Sequence, residues 1–511
     1  MYNDAVTTTA HITLDPAYRI GVVDRRMFGS FVEHMGRCVY TGIYEPDHPT
    51  AGEQGFRGDV LNLVREMGPT IVRYPGGNFV SGYRWEDGVG PREHRPRRLD
   101  LAWRTLESNE VGVDEFAAWC RAADVEPMMA VNLGTRGAQE AADLLEYCNH
   151  VEGTALSDLR RSNGTKEPHD IKVWCLGNEL DGPWQVGHKT AHEYGRLAAE
   201  TARAMRMIDP GIELVACGSS NSAMPTFASW EATVLEHCYE LVDYVSLHSY
   251  YEPYDGDVGS FLASGVDLDR AIDAIVATAD HVGARLRSRK RLRLSVDEWN
   301  VWYQQDFDGQ AHLGYVERRA LIEDNYDVTD AVVVGSLLIT LLRHADRVGI
   351  ACQAQLVNVI APILTRAGGP AWRQTVFHPF AQAARLARGD VLRVEPQVET
   401  YDSARFGDVP LVDVTATLDP DSGAVTVFAV NRSTTESVLL DADVRALGPH
   451  RVKATTLGGG DLTRTNTEAE PEAVTPRFLT SPDTTDGRLR ISLPPVSWNV
   501  ICLIPPPKEH S

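Results

Sequence analysis

Two glutamates stand in sequence contexts that suit acid–base chemistry. Glu179 follows Asn178 directly after an apolar run, and Glu298 lies within the string Asp-Glu-Trp-Asn after another such run. Cleavage of an acetal requires one carboxylic acid to protonate the leaving oxygen and one carboxylate to meet the anomeric carbon. A lone glutamate of this kind is more often a solvated or helix-capping group, but two in these contexts favour cleavage of a glycosidic bond.

The elements that must position these glutamates are eight short apolar runs, separated by segments of helical periodicity between about residues 20 and 385. In one such unit we expect Asp59 to cap a helix that ends at Gly68, where Pro69 starts the next extended run. Strands buried on both faces and separated by helices indicate a parallel sheet, and eight of them predict a (β/α)8 TIM barrel. The predicted strands are 27–32, 70–74, 128–131, 171–176, 212–217, 242–248, 292–297 and 348–351.

The pattern changes after about residue 385, where short stretches of alternating polarity are separated by turns. Residues 411–418 and 425–430 alternate around a turn at 419–423, and residues 496–504 continue the pattern. Such strands predict a C-terminal antiparallel β-sandwich. We therefore expect a catalytic barrel over residues 18–385 and a β-sandwich over 386–511, with residues 1–17 supplying one strand through His11–Leu14.

Polar residues at the carboxyl ends of the barrel strands are the candidates for chemistry, because TIM-barrel active sites lie at that end. Arg73 could be an ordinary ion-pair partner, but at a barrel mouth its natural partner is a catalytic carboxylate. His248 could equally be a structural histidine, and Trp103, Trp184 and Trp302 could be core residues or platforms on which sugars stack. The strand-end candidates are Glu33, Arg73, Asn78, Asn178, Glu179, His248, Tyr250, Asp297, Glu298 and Gln355.

The overall composition excludes several classes of partner. The chain has 49 basic and 71 acidic residues, a net charge of -22, which disfavours nucleic acid and anionic membranes. No stretch approaches the roughly 20 apolar residues of a membrane span. The N-terminal segment lacks the basic and apolar regions of a signal peptide, and eight scattered cysteines suggest reduced thiols, so we expect a cytoplasmic protein.

Neither a metal nor a cofactor is expected from the motifs. His192-Glu193 begins like a zinc-protease helix, but Arg196 occupies the place of the second histidine. Gly88-Val89-Gly90 lacks the third glycine of a dinucleotide-binding loop, and the phosphate-binding GxxxxGK[ST] pattern does not occur.

With these residues placed, the sequence resembles the α-L-arabinofuranosidases of glycoside hydrolase family 51 along its full length. The strings Gly-Asn-Glu-Leu-Asp-Gly-Pro-Trp and Ala-Gln-Leu-Val-Asn are the most specific, whereas Asn-Glu alone is shared by many barrel glycosidases. The motifs that carry the resemblance are residues 28–34, 73–79, 176–184, 248–251, 297–300 and 354–358.

The resemblance implies that Glu179 is the acid/base and Glu298 the nucleophile of a retaining, exo-acting enzyme. It implies a cytoplasmic homo-oligomer, commonly a hexamer, that acts on arabinose-containing oligosaccharides from arabinan or arabinoxylan. Arg73 and His248 would support the two glutamates. The residues that the resemblance places around the arabinofuranosyl ring are Glu33, Asn78, Asn178, Tyr250 and Gln355. Trp103 and Trp302, from their places after barrel strands, are also expected to bind substrate.

Two other functions remain open from the sequence. The same pair of glutamates could serve a barrel glycosidase that acts on β-xylosides or β-glucans. A catalytically silent sugar-binding barrel is a third possibility, although the joint presence of both glutamates, Arg73 and Asn178 argues against it.

Overall fold

The first part of the chain forms a closed parallel barrel, which confirms that part of the predicted fold class. The computed structural model describes residues 8–479 and 483–506. The barrel consists of eight of the first twelve strands, in the order β3-β4-β7-β8-β9-β10-β11-β12, with β12 returning to β3. In chain order these twelve strands are β1 (Thr9–Thr13), β2 (Arg19–Val22), β3 (Gly29–Phe31), β4 (Ile71–Tyr74), β5 (Arg98–Asp100), β6 (Thr105–Glu107), β7 (Glu126–Ala130), β8 (Val173–Leu176), β9 (Glu213–Ala216), β10 (Tyr244–Tyr251), β11 (Arg293–Val301) and β12 (Val348–Ala354).

Helices follow most of the barrel strands and cover their outer faces. None of the helices that the described residues form is long and apolar enough to cross a membrane. The helices are α1 (Gly58–Met67), α2 (Val113–Ala123), α3 (Ala138–Asn149), α4 (Ala155–Ser162), α5 (Ala191–Ile208), α6 (Ser229–Cys238), α7 (Val258–Leu262), α8 (Ser264–Leu286), α9 (Val328–Arg343) and α10 (Phe377–Leu386).

Helix α1 shows how local sequence sets the ends of an element. Gly68 ends the helix in the left-handed conformation, with φ of 76°, as predicted. The predicted cap was wrong, because Arg57 occupies the cap position and Asp59 lies in the first turn. Both carboxylate oxygens of Asp59 accept hydrogen bonds from the Arg57 guanidinium, at 3.1 and 2.7 Å, and this pairing holds Asp59 inside the helix.

The C-terminal part is a sandwich of two sheets, as predicted. The larger sheet has the order β2-β15-β18-β19-β25-β21-β22, and the smaller sheet has the order β1-β20-β24-β23. Apolar side chains between them form a core separate from that of the barrel. The strands are β13 (Ile363–Thr365), β14 (Ala371–Arg373), β15 (Asp390–Leu392), β16 (Thr400–Ser403), β17 (Gly407–Pro410), β18 (Val412–Leu418), β19 (Val425–Asn431), β20 (Val438–Asp443), β21 (Arg451–Gly458), β22 (Arg477–Phe478), β23 (Asp483–Thr485), β24 (Arg488–Leu493) and β25 (Ser497–Ile504).

The N-terminal segment joins both sandwich sheets before the chain enters the barrel. Strand β1 pairs in parallel with β20, and β2 pairs antiparallel with β15. The C-terminal strands pair with one another antiparallel. The sandwich is therefore completed by residues from the opposite end of the chain.

Helix α9 lies between the barrel and the sandwich. Its residues from Val328 to Leu342 are all buried, which is typical of a helix covered on every side. It contacts β11 of the barrel and β18, β19, β21 and β25 of the sandwich. A buried carboxylate, Asp413 on β18, pairs with Arg343 of this helix and with Arg432, and so ties the two parts together.

Candidate active site

The two glutamates of the predicted pair face one another at the barrel mouth. Strand β8 ends at Leu176, and Glu179 follows in the left-handed conformation, with φ of 42°. Residues other than glycine seldom adopt this conformation, and those that do are concentrated at functional sites. Glu298 lies within β11, in register with His248 of the neighbouring strand β10. One carboxylate oxygen of each glutamate and a ring nitrogen of His248 all lie within 4.8 Å of one another.

Glu298 accepts a hydrogen bond on each of its oxygens. The Nη1 atom of Arg73 donates to Oε1 at 2.6 Å, and the hydroxyl of Tyr250 donates to Oε2 at 2.7 Å. The other terminal nitrogen of Arg73 donates to Oδ1 of Asn178 at 2.8 Å. A buried guanidinium and a hydroxyl aimed at one carboxylate stabilise its negative charge and fix its orientation.

Glu179 is held by different partners. His248 Nδ1 lies 2.9 Å from its Oε1, and the indole N–H of Trp184 donates to its Oε2 at 2.9 Å. Burial raises the pKa of Glu179, the charge of Glu298 raises it further, and the hydrogen bond from His248 opposes the change. The environment therefore favours a protonated Glu179 over a wider pH range than a solvated glutamate would have.

His248 links the two sides of the site. Its Nε2 lies 3.3 Å from Asp297, and its Nδ1 contacts Glu179. Burial disfavours its cation, but the charge of Glu298 and the hydrogen bonds to Asp297 and Glu179 raise its pKa to about 10. A histidine protonated at neutral pH has no lone pair for a metal ion, so these side chains suit acid–base chemistry better than metal binding.

Glu33 lies on the opposite wall. The Phe79 backbone N–H and the Trp103 indole each donate to its Oε1 at 2.9 Å, and Gln355 donates to its Oε2 at 3.2 Å. Burial and, to a smaller extent, repulsion from Glu298 raise the pKa of Glu33 to about 8, although the hydrogen bonds from Phe79 and Trp103 lower it. A carboxyl that is mainly protonated at neutral pH can donate as well as accept a hydrogen bond.

A cavity of about 760 Å³ opens above these groups. Asn178 lies beneath it, and its Nδ2 is a buried donor for which the described part of the chain supplies no acceptor. Arg73 and His248 also lie behind the wall. The predicted residues that line the cavity are Glu33, Asn78, Trp103, Glu179, Tyr250, Glu298, Trp302 and Gln355.

Asp297 and Trp184, both candidates from the sequence, lie in the site, whereas Arg405 and Phe406 were not predicted. Asp297 has its pKa lowered despite burial, because Arg73 and His248 lie beside it. Trp184, which could have been core, is 48% exposed and lines the cavity. Arg405 and Phe406 reach the cavity from the β16–β17 hairpin, and no local pattern marks them.

The barrel, the facing carboxylates and the cavity together define a barrel glycoside hydrolase. Two known domain families match the chain: the α-L-arabinofuranosidase 1 domain over residues 63–259 and the α-L-arabinofuranosidase C-terminal domain over residues 297–497. The chain belongs to the α-L-arabinofuranosidases of glycoside hydrolase family 51, which confirms the resemblance drawn from its motifs.

Individual relatives align with nearly the whole chain. An intracellular exo-α-(1→5)-L-arabinofuranosidase of Streptomyces lividans is 60% identical over 506 residues, which cover 98% of this chain and 76% of the relative. An enzyme of the same description from Bacillus subtilis is 53% identical, covering 97% and 99%. The structure of a family 51 α-L-arabinofuranosidase from Bifidobacterium longum superposes with a TM-score of 0.94 at 48% identity, covering 98% of this chain and 100% of that one.

Proposed function

We propose that this protein is a retaining, exo-acting α-L-arabinofuranosidase that removes terminal arabinofuranosyl residues from arabinan or arabinoxylan oligosaccharides. The observation that carries the proposal is the separation of the two glutamates, whose nearest oxygens lie within 4.8 Å. Inverting enzymes keep their carboxyl groups about 6.5–9.5 Å apart to admit a water molecule, whereas retaining enzymes bring them to about 5–5.5 Å. The short separation supports direct attack by one carboxylate.

The different partners of the glutamates support a different role for each. Glu298, oriented by Arg73 and Tyr250, attacks the anomeric carbon as its carboxylate and forms a covalent glycosyl ester. Glu179 gives its proton to the glycosidic oxygen as that bond breaks. It then takes a proton from the water that attacks the ester, which releases the sugar and restores both carboxyl groups.

The residues around Glu33 are evidence for a pocket that holds one terminal sugar. The Nδ2 donor of Asn178, which has no acceptor among the described residues, suits the sugar 2-hydroxyl, a contact that strengthens as positive charge develops on the ring. Glu33 and Gln355 offer further hydrogen bonds. Trp302, whose ring meets that of Tyr250 edge-on at 5.3 Å, and Trp103 offer aromatic surface, and Asn78 completes the wall.

The relatives and the family resemblance support a proposal for cellular location and assembly. The two curated relatives are described as intracellular, so we propose that this enzyme acts in the cytoplasm on short arabinose-containing oligosaccharides. The resemblance further implies a homohexamer. Light scattering coupled to size-exclusion chromatography measures that mass directly.

The experiment that tests the proposed substrate is turnover of a panel of nitrophenyl glycosides. We expect fast release from the α-L-arabinofuranoside and slow or no release from the β-xyloside and β-glucoside. Release only from the xyloside or the glucoside would show instead a barrel glycosidase that acts on β-xylosides or β-glucans. If none of the glycosides were cleaved, the remaining candidate function would be a catalytically silent sugar-binding barrel.

A further inference from the structure

The two glutamates divide the barrel mouth into two arcs. Glu298 lies on β11, and Glu179 follows β8. On one arc, β12, β3 and β4 carry the residues proposed to surround the arabinosyl ring, namely Gln355, Glu33 and Asn78. The cavity also extends over the other arc, above β9 and β10. Apart from Tyr250 of β10, the residues that line that part of the cavity have no role in the proposed function.

We call this second part the distal lobe. A volume of about 760 Å³ for the whole cavity lies in the range that holds a drug-sized ligand rather than a single pentose. The walls of the distal lobe come from the loops after β9 and β10, from α8, and from the β16–β17 hairpin. The residues that define the distal lobe are Ser220, Ser222, Tyr254, Asp257, Asp267, Arg405 and Phe406.

The tip of the β16–β17 hairpin is fixed against the barrel. The Tyr401 hydroxyl donates to the carbonyl oxygen of Gly259 at 2.8 Å, and the hydroxyls of Ser260 and Ser403 lie 2.9 Å apart. The backbone N–H of Arg405 donates to Ser260 Oγ at 3.2 Å. These contacts hold Arg405 at a defined place in the wall, although it belongs to the C-terminal part of the chain.

The Arg405 guanidinium lies over an aromatic ring. Its guanidinium carbon is 4.3 Å from the centre of the Tyr254 ring, a cation–π arrangement. No carboxylate of the described residues lies within ion-pair distance of this guanidinium, so N–H donors remain for a ligand. Aromatic surface beside a planar set of donors suits sugars, which present apolar faces and hydroxyl acceptors.

We propose that the distal lobe binds the leaving-group part of the substrate, a neutral oligosaccharide chain, and that Arg405 and Tyr254 determine the preference for longer chains. The inference rests on the proposed function, since a leaving group exists only if Glu179 and Glu298 cleave a glycoside. Asp257 and Asp267 line the same lobe and repel anionic sugars, which favours a neutral chain over one that carries uronic acids.

The test compares two substrates that differ only beyond the bond that is cleaved. Methyl α-L-arabinofuranoside has methanol as its leaving group, whereas linear α-(1→5)-arabinotriose and longer chains extend into the lobe. Arg405→Ala should lower kcat/KM on the oligosaccharides roughly tenfold, the loss expected for a charge-assisted hydrogen bond. It should leave kcat/KM on the methyl glycoside unchanged. Tyr254→Leu removes the aromatic ring that Arg405 contacts. It should likewise lower kcat/KM on the oligosaccharides and leave kcat/KM on the methyl glycoside unchanged.

A matched control is Arg451→Ala, which removes an exposed arginine of β21 that does not line the cavity. It should leave kcat/KM unchanged on both substrates. Equal loss on both substrates in Arg405→Ala and Tyr254→Leu would overturn the inference, because it would show that the hairpin only supports the active site. Unchanged oligosaccharide kinetics in both variants would overturn it as well. If the unaltered enzyme cleaved neither substrate, the proposed function would fail, and the subsite with it.

Discussion

At the scale of single residues, the two glutamates differ in what their oxygens contact. Glu298 receives a guanidinium and a phenol, which stabilise its anion, whereas Glu179 is buried beside that anion, which favours its acid form. This difference in environment supports the proposed roles of Glu298 as nucleophile and Glu179 as acid.

Replacing each glutamate by alanine should separate these roles. Loss of a general acid typically lowers the rate by about 10²- to 10⁴-fold, but only when the leaving group needs a proton. Glu179→Ala should therefore be severely impaired on arabino-oligosaccharides, yet keep its glycosylation step on a dinitrophenyl arabinofuranoside. Glu298→Ala should be poor on both substrates. Pre-steady-state kinetics measure this, and the same loss on both substrates in both variants would mean that the roles are misassigned.

His248 offers a test through pH. Its hydrogen bond and charge lower the pKa of Glu179, so His248→Gln should raise that pKa. In the proposed mechanism, activity needs protonated Glu179 and is lost as the pH rises through its pKa. The basic limb of kcat/KM against pH should therefore move to higher pH. His192→Gln, at an exposed position of α5, is the control. A basic limb that stays in place in a folded His248→Gln enzyme would show that the imidazole does not act on Glu179.

At the scale of elements, the loop after β4 brings backbone close to two residues of the proposed active site, Glu298 and Asn178. A Cβ atom added at Gly77 would lie 2.9 Å from Oε1 of Glu298 and 3.3 Å from Nδ2 of Asn178. Only a residue without a side chain leaves room for both groups. The same loop enters the 3₁₀ turn Asn78–Gly82, where a Cβ at Gly82 would meet nothing within 4 Å.

Gly77→Ala should displace the Glu298 carboxylate while the barrel stays folded. Misplacing a reacting group by about 1 Å can cost on the order of 10²-fold in rate, and we expect a loss of kcat/KM of that size. Gly82→Ala, in the same turn, should retain its activity. Steady-state kinetics with thermal denaturation of both variants decide the point. An active Gly77→Ala enzyme would show that Glu298 tolerates displacement.

Pattern and topology explain which elements and residues could be predicted. The eight apolar runs predicted the barrel because each strand is buried on both faces. Barrel closure then brings all carboxyl ends of the strands to one mouth, which is why Glu33 and Gln355 could be placed near Glu179 despite their distance in sequence. The apolar runs are longer than the strands in places: the run 27–32 contains only the three-residue strand Gly29–Phe31.

At the scale of the whole molecule, the barrel and the sandwich are not simply consecutive along the chain. Strands β1 and β2 complete the sandwich sheets, and the β16–β17 hairpin lines the cavity at the barrel mouth. Arg405 could not be predicted as a cavity residue, because docking of a hairpin depends on contacts such as Tyr401 with Gly259, which no local periodicity encodes.

The stereochemistry of hydrolysis distinguishes the proposed double displacement from direct displacement by water. Attack by Glu298 followed by attack of water inverts the anomeric carbon twice, so the first-formed sugar keeps its configuration. Proton NMR during early hydrolysis of an α-L-arabinofuranoside should show α-arabinofuranose before mutarotation, and transfer to methanol should give the methyl α-glycoside. Initial appearance of β-arabinofuranose would contradict the double displacement and the assignment of Glu298 as nucleophile.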